Sequence, residues 1–171
     1  MELGNWIPRE HDKIARELVL NDKVALHALE FAVSTPEFLR LVEHITRCGP
    51  IAYFSGRVYR MAPGTDHFAN WHSDDLDNRL VGMSINLGPR PYLGGAFRLR
   101  RKNSNQMLCE LPNTIPGSAI LFRISDELEH VVSPLGGSEP KTAFAGWFKS
   151  SGDDPFSCFV DNPRSLKCLF P

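Results

Sequence analysis

A chain of 171 residues suits a single domain, long enough to bury roughly two-thirds of the surface its unfolded form exposes. Nineteen Lys and Arg against twenty Asp and Glu leave a net charge of −1, which excludes the broad basic field that non-specific nucleic-acid binding requires. Cys48, Cys109, Cys158 and Cys168 are widely spaced without a CxxC pair, so neither a zinc knuckle nor a dense disulfide frame is indicated and reduced thiols are expected.

The N-terminus, Met1 to Trp6, has no basic start followed by an apolar run, and no apolar stretch is long enough to cross a bilayer. The expectation is a soluble, cytoplasmic protein with no membrane partner. Pro8 can start a helix, with Ile14, Leu18 and Val19 on one face before Asn21-Asp22 interrupts it. Val24, Ala28, Phe31 and Ala32 again recur at helical spacing. A clearer helix follows: Ser34 or Thr35 can cap it, Pro36 suits its first turn, Phe38, Leu41, Val42 and Ile45 form an apolar stripe, and Gly49-Pro50 stops it. Such a helix is expected to cover a sheet. His11, His27 and His44 fall in this part and read as surface or packing residues.

At Ile51 the pattern changes to strands. Tyr53, Ser55, Arg57, Tyr59 and Met61 share one face, and Phe54 and Val58 the other, before the Pro63-Gly64 turn. Next comes Trp71-His72-Ser73-Asp74. Two residues apart on an extended chain, His72 and Asp74 point the same way and can reach one point; a second imidazole from a distant strand, His130, would complete three metal ligands. The plainer reading is a His that ends a strand and an Asp that caps a turn. Leu80 to Leu87 alternates as a half-buried strand, and further strands are expected at Ala96 to Arg101, Met107 to Leu111, Ser118 to Ile124, Val131-Val132 and Thr142 to Phe148. About eight short strands, with helices gathered at the N-terminal end, argue for a mainly β, closed or double-sheet architecture rather than alternating βαβ units.

The ordered signals are Pro63-Gly64 before His72-x-Asp74, Ile85-Asn86-Leu87 leading to Gly94-Gly95-x-Phe97, and Pro116-Gly117-Ser118-Ala119-Ile120-Leu121-Phe122. His130-Val131-Val132-Ser133-Pro134 follows, then Lys141 with Trp147-Phe148 behind it. Over residues 51 to 149 this set resembles the 2-oxoglutarate/Fe(II)-dependent dioxygenases, in particular their prolyl-4-hydroxylase-like branch. The resemblance implies a double-stranded β-helix (a jelly roll, cupin-like) in one domain spanning 1–171. Residues 1–50 would give helical support, 51–149 the core and 150–171 a tail. It implies Fe(II) held by His72, Asp74 and His130, with 2-oxoglutarate as co-substrate and O2 as oxidant. Lys141 would meet the far carboxylate of 2-oxoglutarate.

The pattern also departs from the family's. Lys141 follows His130 by eleven residues, a little farther than is usual. The position two after it is Ala143 in place of a hydroxylated residue, with Thr142 beside it on the opposite strand face, and Tyr59 shares a face with Met61. Thr142 and Tyr59 are thus secondary candidates for holding the co-substrate. The implied reaction hydroxylates an unactivated C–H bond of an amino acid, a peptide or protein side chain, or a small metabolite, with release of succinate and CO2. Two other readings stay open: a non-catalytic jelly-roll binding or sensing module, and another metal-dependent enzyme on a cupin-type barrel. His67, Asp75 and Asp77 read as surface or loop residues, and Arg98, Arg100, Arg101 and Lys102 as either an acidic-substrate patch or a charged strand edge. Oligomeric state is not legible.

Overall fold

The computed structural model describes residues 24–64, 70–76 and 78–151, together with the backbone of 4–8 and 16–20. Its strands are β1 (Gly4–Pro8), β2 (Arg16–Leu20), β3 (Tyr53–Met61), β4 (Arg79–Asn86), β5 (Leu93–Gly94), β6 (Phe97–Arg101), β7 (Met107–Leu111), β8 (Ala119–Arg123), β9 (Leu128–Val132), β10 (Leu135–Gly136) and β11 (Lys141–Lys149). Two helices, α1 (Val24–Val33) and α2 (Pro36–Thr46), precede β3. A six-stranded sheet has the order β1-β2-β3-β11-β4-β8, a three-stranded sheet the order β7-β6-β9, and β10 pairs with β5. The architecture is the expected mainly β jelly roll.

Alternation along the strands divides the large sheet into two faces. On one, Phe54 and Val58 of β3, Phe144 and Phe148 of β11, and Val81 and Met83 of β4 pack with Val33, Leu39 and Val42 of the helices. Phe54 meets Phe148 and Phe144 at ring distances of 4.8 and 5.3 Å. Burying these aromatic rings, each worth roughly 2–3 kcal/mol, fixes which face the helices cover. The other face turns towards the small sheet. Phe122 of β8 touches Phe97 of β6 at 4.7 Å and His130 of β9 at 4.6 Å, so the two sheets meet around the histidine.

The N-terminal part differs from the sequence reading in two ways. The segment containing Leu18 and Val19, expected as helix, is strand β2, paired with β1 and through Arg16 and Glu17 with Arg60 and Tyr59 of β3. A short apolar run is compatible with either state, and here the open edge of β3 decides it. Helix α1 is present but presents a different face: Glu30 and Val33 are buried while Val24 and Phe31 are exposed. Its position follows from the upper part of β3, where no strand covers the edge among the described residues. There Glu30 Oε1 accepts the Gly56 N–H at 3.0 Å and Ser34 Oγ the Phe54 N–H at 3.2 Å. In α2, Val42 and Leu39 are buried and Phe38 packs against Phe148, but Leu41 and Ile45 face outward. The helix ends at Thr46, with Arg47 in the left-handed region at φ 52° donating its N–H to the Glu43 carbonyl, three residues before the expected Gly-Pro stop.

Candidate metal centre

His72 belongs to none of the strands. A single antiparallel bridge holds it to β9, the His72 N–H donating to the His130 carbonyl at 3.1 Å and the His130 N–H to the His72 carbonyl at 2.9 Å. Residues paired in this way direct their side chains to the same side, and the two imidazole centres lie 4.3 Å apart. Asp74, two residues on, joins them: one donor atom from each of His72, Asp74 and His130 falls within 4.8 Å of the others. His72 Nε2 is 4.0 Å from Asp74 Oδ1, and His130 Nε2 is 3.7 Å from Asp74 Oδ2. The following turn is tied down by the Asp75 N–H on Ser73 Oγ and by Ser73 Oγ–H on the Ser125 carbonyl.

The surroundings orient both imidazoles as ligands. His72 Nδ1 lies 2.7 Å from the Asn70 carbonyl. That contact requires a proton on Nδ1, so Nε2, which faces Asp74, is the nitrogen that can serve a metal. His130 is enclosed by Phe97 and Phe122. Its burial, followed by the repulsion that a second proton would meet from neighbouring His72, pulls its pKa down to about 4 against the opposing effect of Asp74, so it is neutral at pH 7. The side chain of His72 is 45% exposed and that of His130 11%, so the cluster opens to solvent on the His72 side. Two imidazoles and one carboxylate arranged with an open side form the donor set of a non-haem Fe(II) site.

Two features that the sequence did not single out complete the setting. Arg79, at the start of β4, reaches Asp74 Oδ1 with Nη1 at 3.8 Å while its guanidinium lies 3.7 Å from the centre of the Trp147 ring. Phe122 lies over Gly82, where a Cβ would come within 2.2 Å of its ring. An arginine opening a strand and a glycine inside one are weak local signals, and only the folded chain gives them meaning.

Lys141 opens β11 on the face that looks into the barrel. It is 2% exposed, yet among the described residues no carboxylate lies within ion-pair distance. Its Nζ is 5.7 Å from the centre of the Tyr59 ring. On the same face, Ala143 stands between Tyr59 and Asn86 in register. Asn86 Nδ2 and Ser84 Oγ are buried without hydrogen-bond partners among the described residues. Tyr92, whose hydroxyl donates to the Asn113 carbonyl at 2.5 Å, is kept protonated by burial and by Tyr59, both raising its pKa. A buried lysine amine and idle polar groups are costly unless a partner joins them, and their donors match a ligand carboxylate. Thr142 lies on the opposite face, accepting a hydrogen bond from Arg60 Nε at 3.2 Å, and is not part of that interior.

The remaining candidates fall elsewhere. Arg98, Arg100 and Arg101 are paired with Glu110, Glu129 and Glu127. His27 and His44 lie on α1 and α2. His11, His67, Asp77 and the tail beyond Ser151 lie outside the described residues. Among the described residues, no helix is long and apolar enough to cross a membrane.

Residues 56–149, more than half of the chain, match the 2OG-Fe(II) oxygenase superfamily. No curated protein sequence matches the chain. Among solved structures, a Pseudomonas putida prolyl-4-hydroxylase is similar at 19% identity with a TM-score of 0.63, over 86% of this chain and 78% of that one. A prolyl hydroxylase from Trichoplax adhaerens, solved in complex with a hypoxia inducible factor oxygen degradation domain peptide fragment, has a TM-score of 0.59 at 17% identity, over 87% of this chain and 71% of that one. An oxidoreductase of the 2OG-Fe(II) oxygenase family from Burkholderia pseudomallei has a TM-score of 0.57 at 17% identity; the match covers 82% of this chain and 63% of that one, just under two thirds of its length. At these identities the structural likeness speaks for the fold.

Proposed function

Because this chain belongs to the 2OG-Fe(II) oxygenase superfamily, we propose that it hydroxylates an unactivated C–H bond of a peptide or protein side chain, releasing succinate and CO2. It is a 2-oxoglutarate-dependent dioxygenase that uses Fe(II), 2-oxoglutarate and O2. The observation that carries the fuller reading is the convergence of His72, Asp74 and His130 within 4.8 Å. A peptide is put ahead of a free amino acid or small metabolite because the similar Trichoplax adhaerens protein holds a peptide.

In this reading His72 and His130 would hold the metal through Nε2 and Asp74 through a carboxylate oxygen. Bound Fe(II), together with 2-oxoglutarate, supplies the oxidising power that side chains lack. Lys141 would receive the far carboxylate of 2-oxoglutarate in a charge-assisted pair, sheltered from water by the barrel. Tyr59 packs beside that ammonium, and the small Ala143 leaves room between Tyr59 and Asn86. Arg79 holds one Asp74 oxygen and so orients the carboxylate. Retention of Asp74, rather than a small residue that would admit a halide, favours hydroxylation. A metal enzyme that does not use 2-oxoglutarate would have no need of a lysine buried in the barrel beside unpartnered polar groups.

The test is direct. Under anaerobic conditions, Fe(II) plus 2-oxoglutarate should give a visible charge-transfer band, and admitting air with a peptide library should give succinate in step with a mass gain of one oxygen. His72→Ala should give neither. A band-free protein that makes no succinate would defeat the proposal.

A further inference from the structure

The two histidines are braced from behind. Side chains alternate along extended chain, so Trp71 and Glu129, each one residue before a histidine of the centre, face away from it. Arg100 of β6 meets both on that reverse side. Its Nε donates to Glu129 Oε1 at 2.6 Å, and its guanidinium carbon lies 4.0 Å from the centre of the Trp71 ring. The Arg100 and Glu129 side chains are only 22% and 12% exposed, which spares this pair most of the solvent screening that weakens surface ion pairs.

The arrangement answers a specific weakness of the centre. His130 is held in β9 by five successive pairs with β6, including Leu99 opposite His130 and Arg100 opposite Glu129. Among the described residues, His72 has a single bridge. We propose that Arg100 is a positioning residue of the metal centre: by clamping Trp71 to Glu129 it sets the spacing of the His72 and His130 imidazoles before a metal arrives. The inference rests on the reading that these imidazoles hold a metal. A guanidinium suits the task because its plane stacks on the indole while its edge donates to the carboxylate, and an ammonium cannot do both. The neighbouring Arg98 offers a contrast on the same strand. Its pair with Glu110 at 2.8 Å is 41% and 51% exposed and ties β6 to β7, not to a ligand-bearing segment.

The experiment titrates Co(II) into metal-free protein without oxygen and follows its visible d–d spectrum, alongside the melting temperature of the metal-free form. Arg100→Met should weaken Co(II) binding about 10-fold, the scale at which supporting contacts around metal ligands act, and alter the spectrum. Arg100→Lys should recover little of this. Trp71→Leu should act in the same direction, with the double variant no worse than the stronger single one. Arg98→Met should bind Co(II) like the wild type even if its melting temperature falls. Should Arg100→Met fail to fold, Trp71→Leu decides by the same criterion. Wild-type affinity and spectrum in the Arg100 or Trp71 variants, or an equal loss in Arg98→Met, would overturn the clamp alone. A wild-type protein that takes up no Co(II) would overturn the metal centre and the clamp together.

Discussion

Lys141 and His130 are both buried ionisable side chains of the barrel interior. His130 is neutral, its pKa pulled down to about 4 by burial. Because the unfolded chain holds that proton up to about pH 6.5, it binds more protons than the folded form between these values. This group's contribution to stability is therefore full above pH 6.5 and falls as pH drops towards 4, by at most roughly 3 kcal/mol. Urea unfolding of metal-free protein from pH 4 to 7 should show this slope, and His130→Gln should flatten it. Lys141 is buried as well, with no carboxylate within ion-pair distance among the described residues. Lys141→Met is expected to weaken 2-oxoglutarate binding by roughly 2–3 kcal/mol, about 30- to 150-fold. Titration of Co(II)-loaded protein would measure that loss, and Co(II) affinity itself should hardly move.

Elements place these residues by covering one another's edges and faces. The exposed run of β3 is closed by side chains of the α1 segment, where the buried Glu30 accepts the Gly56 N–H. Glu30→Ala leaves that amide without its acceptor and should cost about 1–3 kcal/mol in urea unfolding, while the metal-loaded enzyme keeps its turnover. The contact of β4 with β8 matters more to the chemistry. Any side chain at Gly82 would strike the Phe122 ring, whose other neighbours are Phe97 and His130. Gly82→Ala should thus push Phe122 onto His130 and weaken Co(II) binding several-fold, more than its loss of stability explains. An unchanged Co(II) spectrum in that variant would show that the ring has another way out.

At the scale of the whole molecule, three segments far apart in the chain are joined only by folding: the 72–74 loop, β9 and the start of β11. Binding should therefore feed back on stability. A ligand at one hundred times its dissociation constant stabilises the folded form by about 2.7 kcal/mol. The melting temperature should rise with Co(II), rise further with 2-oxoglutarate once Co(II) is present, and return on chelation by EDTA. 2-Oxoglutarate without metal should do much less, since it would meet Lys141 alone.

What could be read before folding was whatever repeats or recurs locally. Alternation at Tyr53 to Met61 and Leu80 to Leu87 announced two strands of the large sheet, and the two-residue spacing of His72 and Asp74 put both on one side of the chain. The ordered motifs through His130 and Lys141 carried the family. The pairing of β2 with β3, the inward face of α1 and the reverse-side meeting of Trp71, Arg100 and Glu129 had no comparable signal. Each depends on which distant backbone edge or side chain lies opposite, and register between separated segments is a property of the packed sheets, not of any window of sequence. A charged residue such as Arg100 or Arg79 looks the same in sequence whether it faces water or braces a ligand, and only tertiary packing, by withdrawing solvent from one side of it, made the difference.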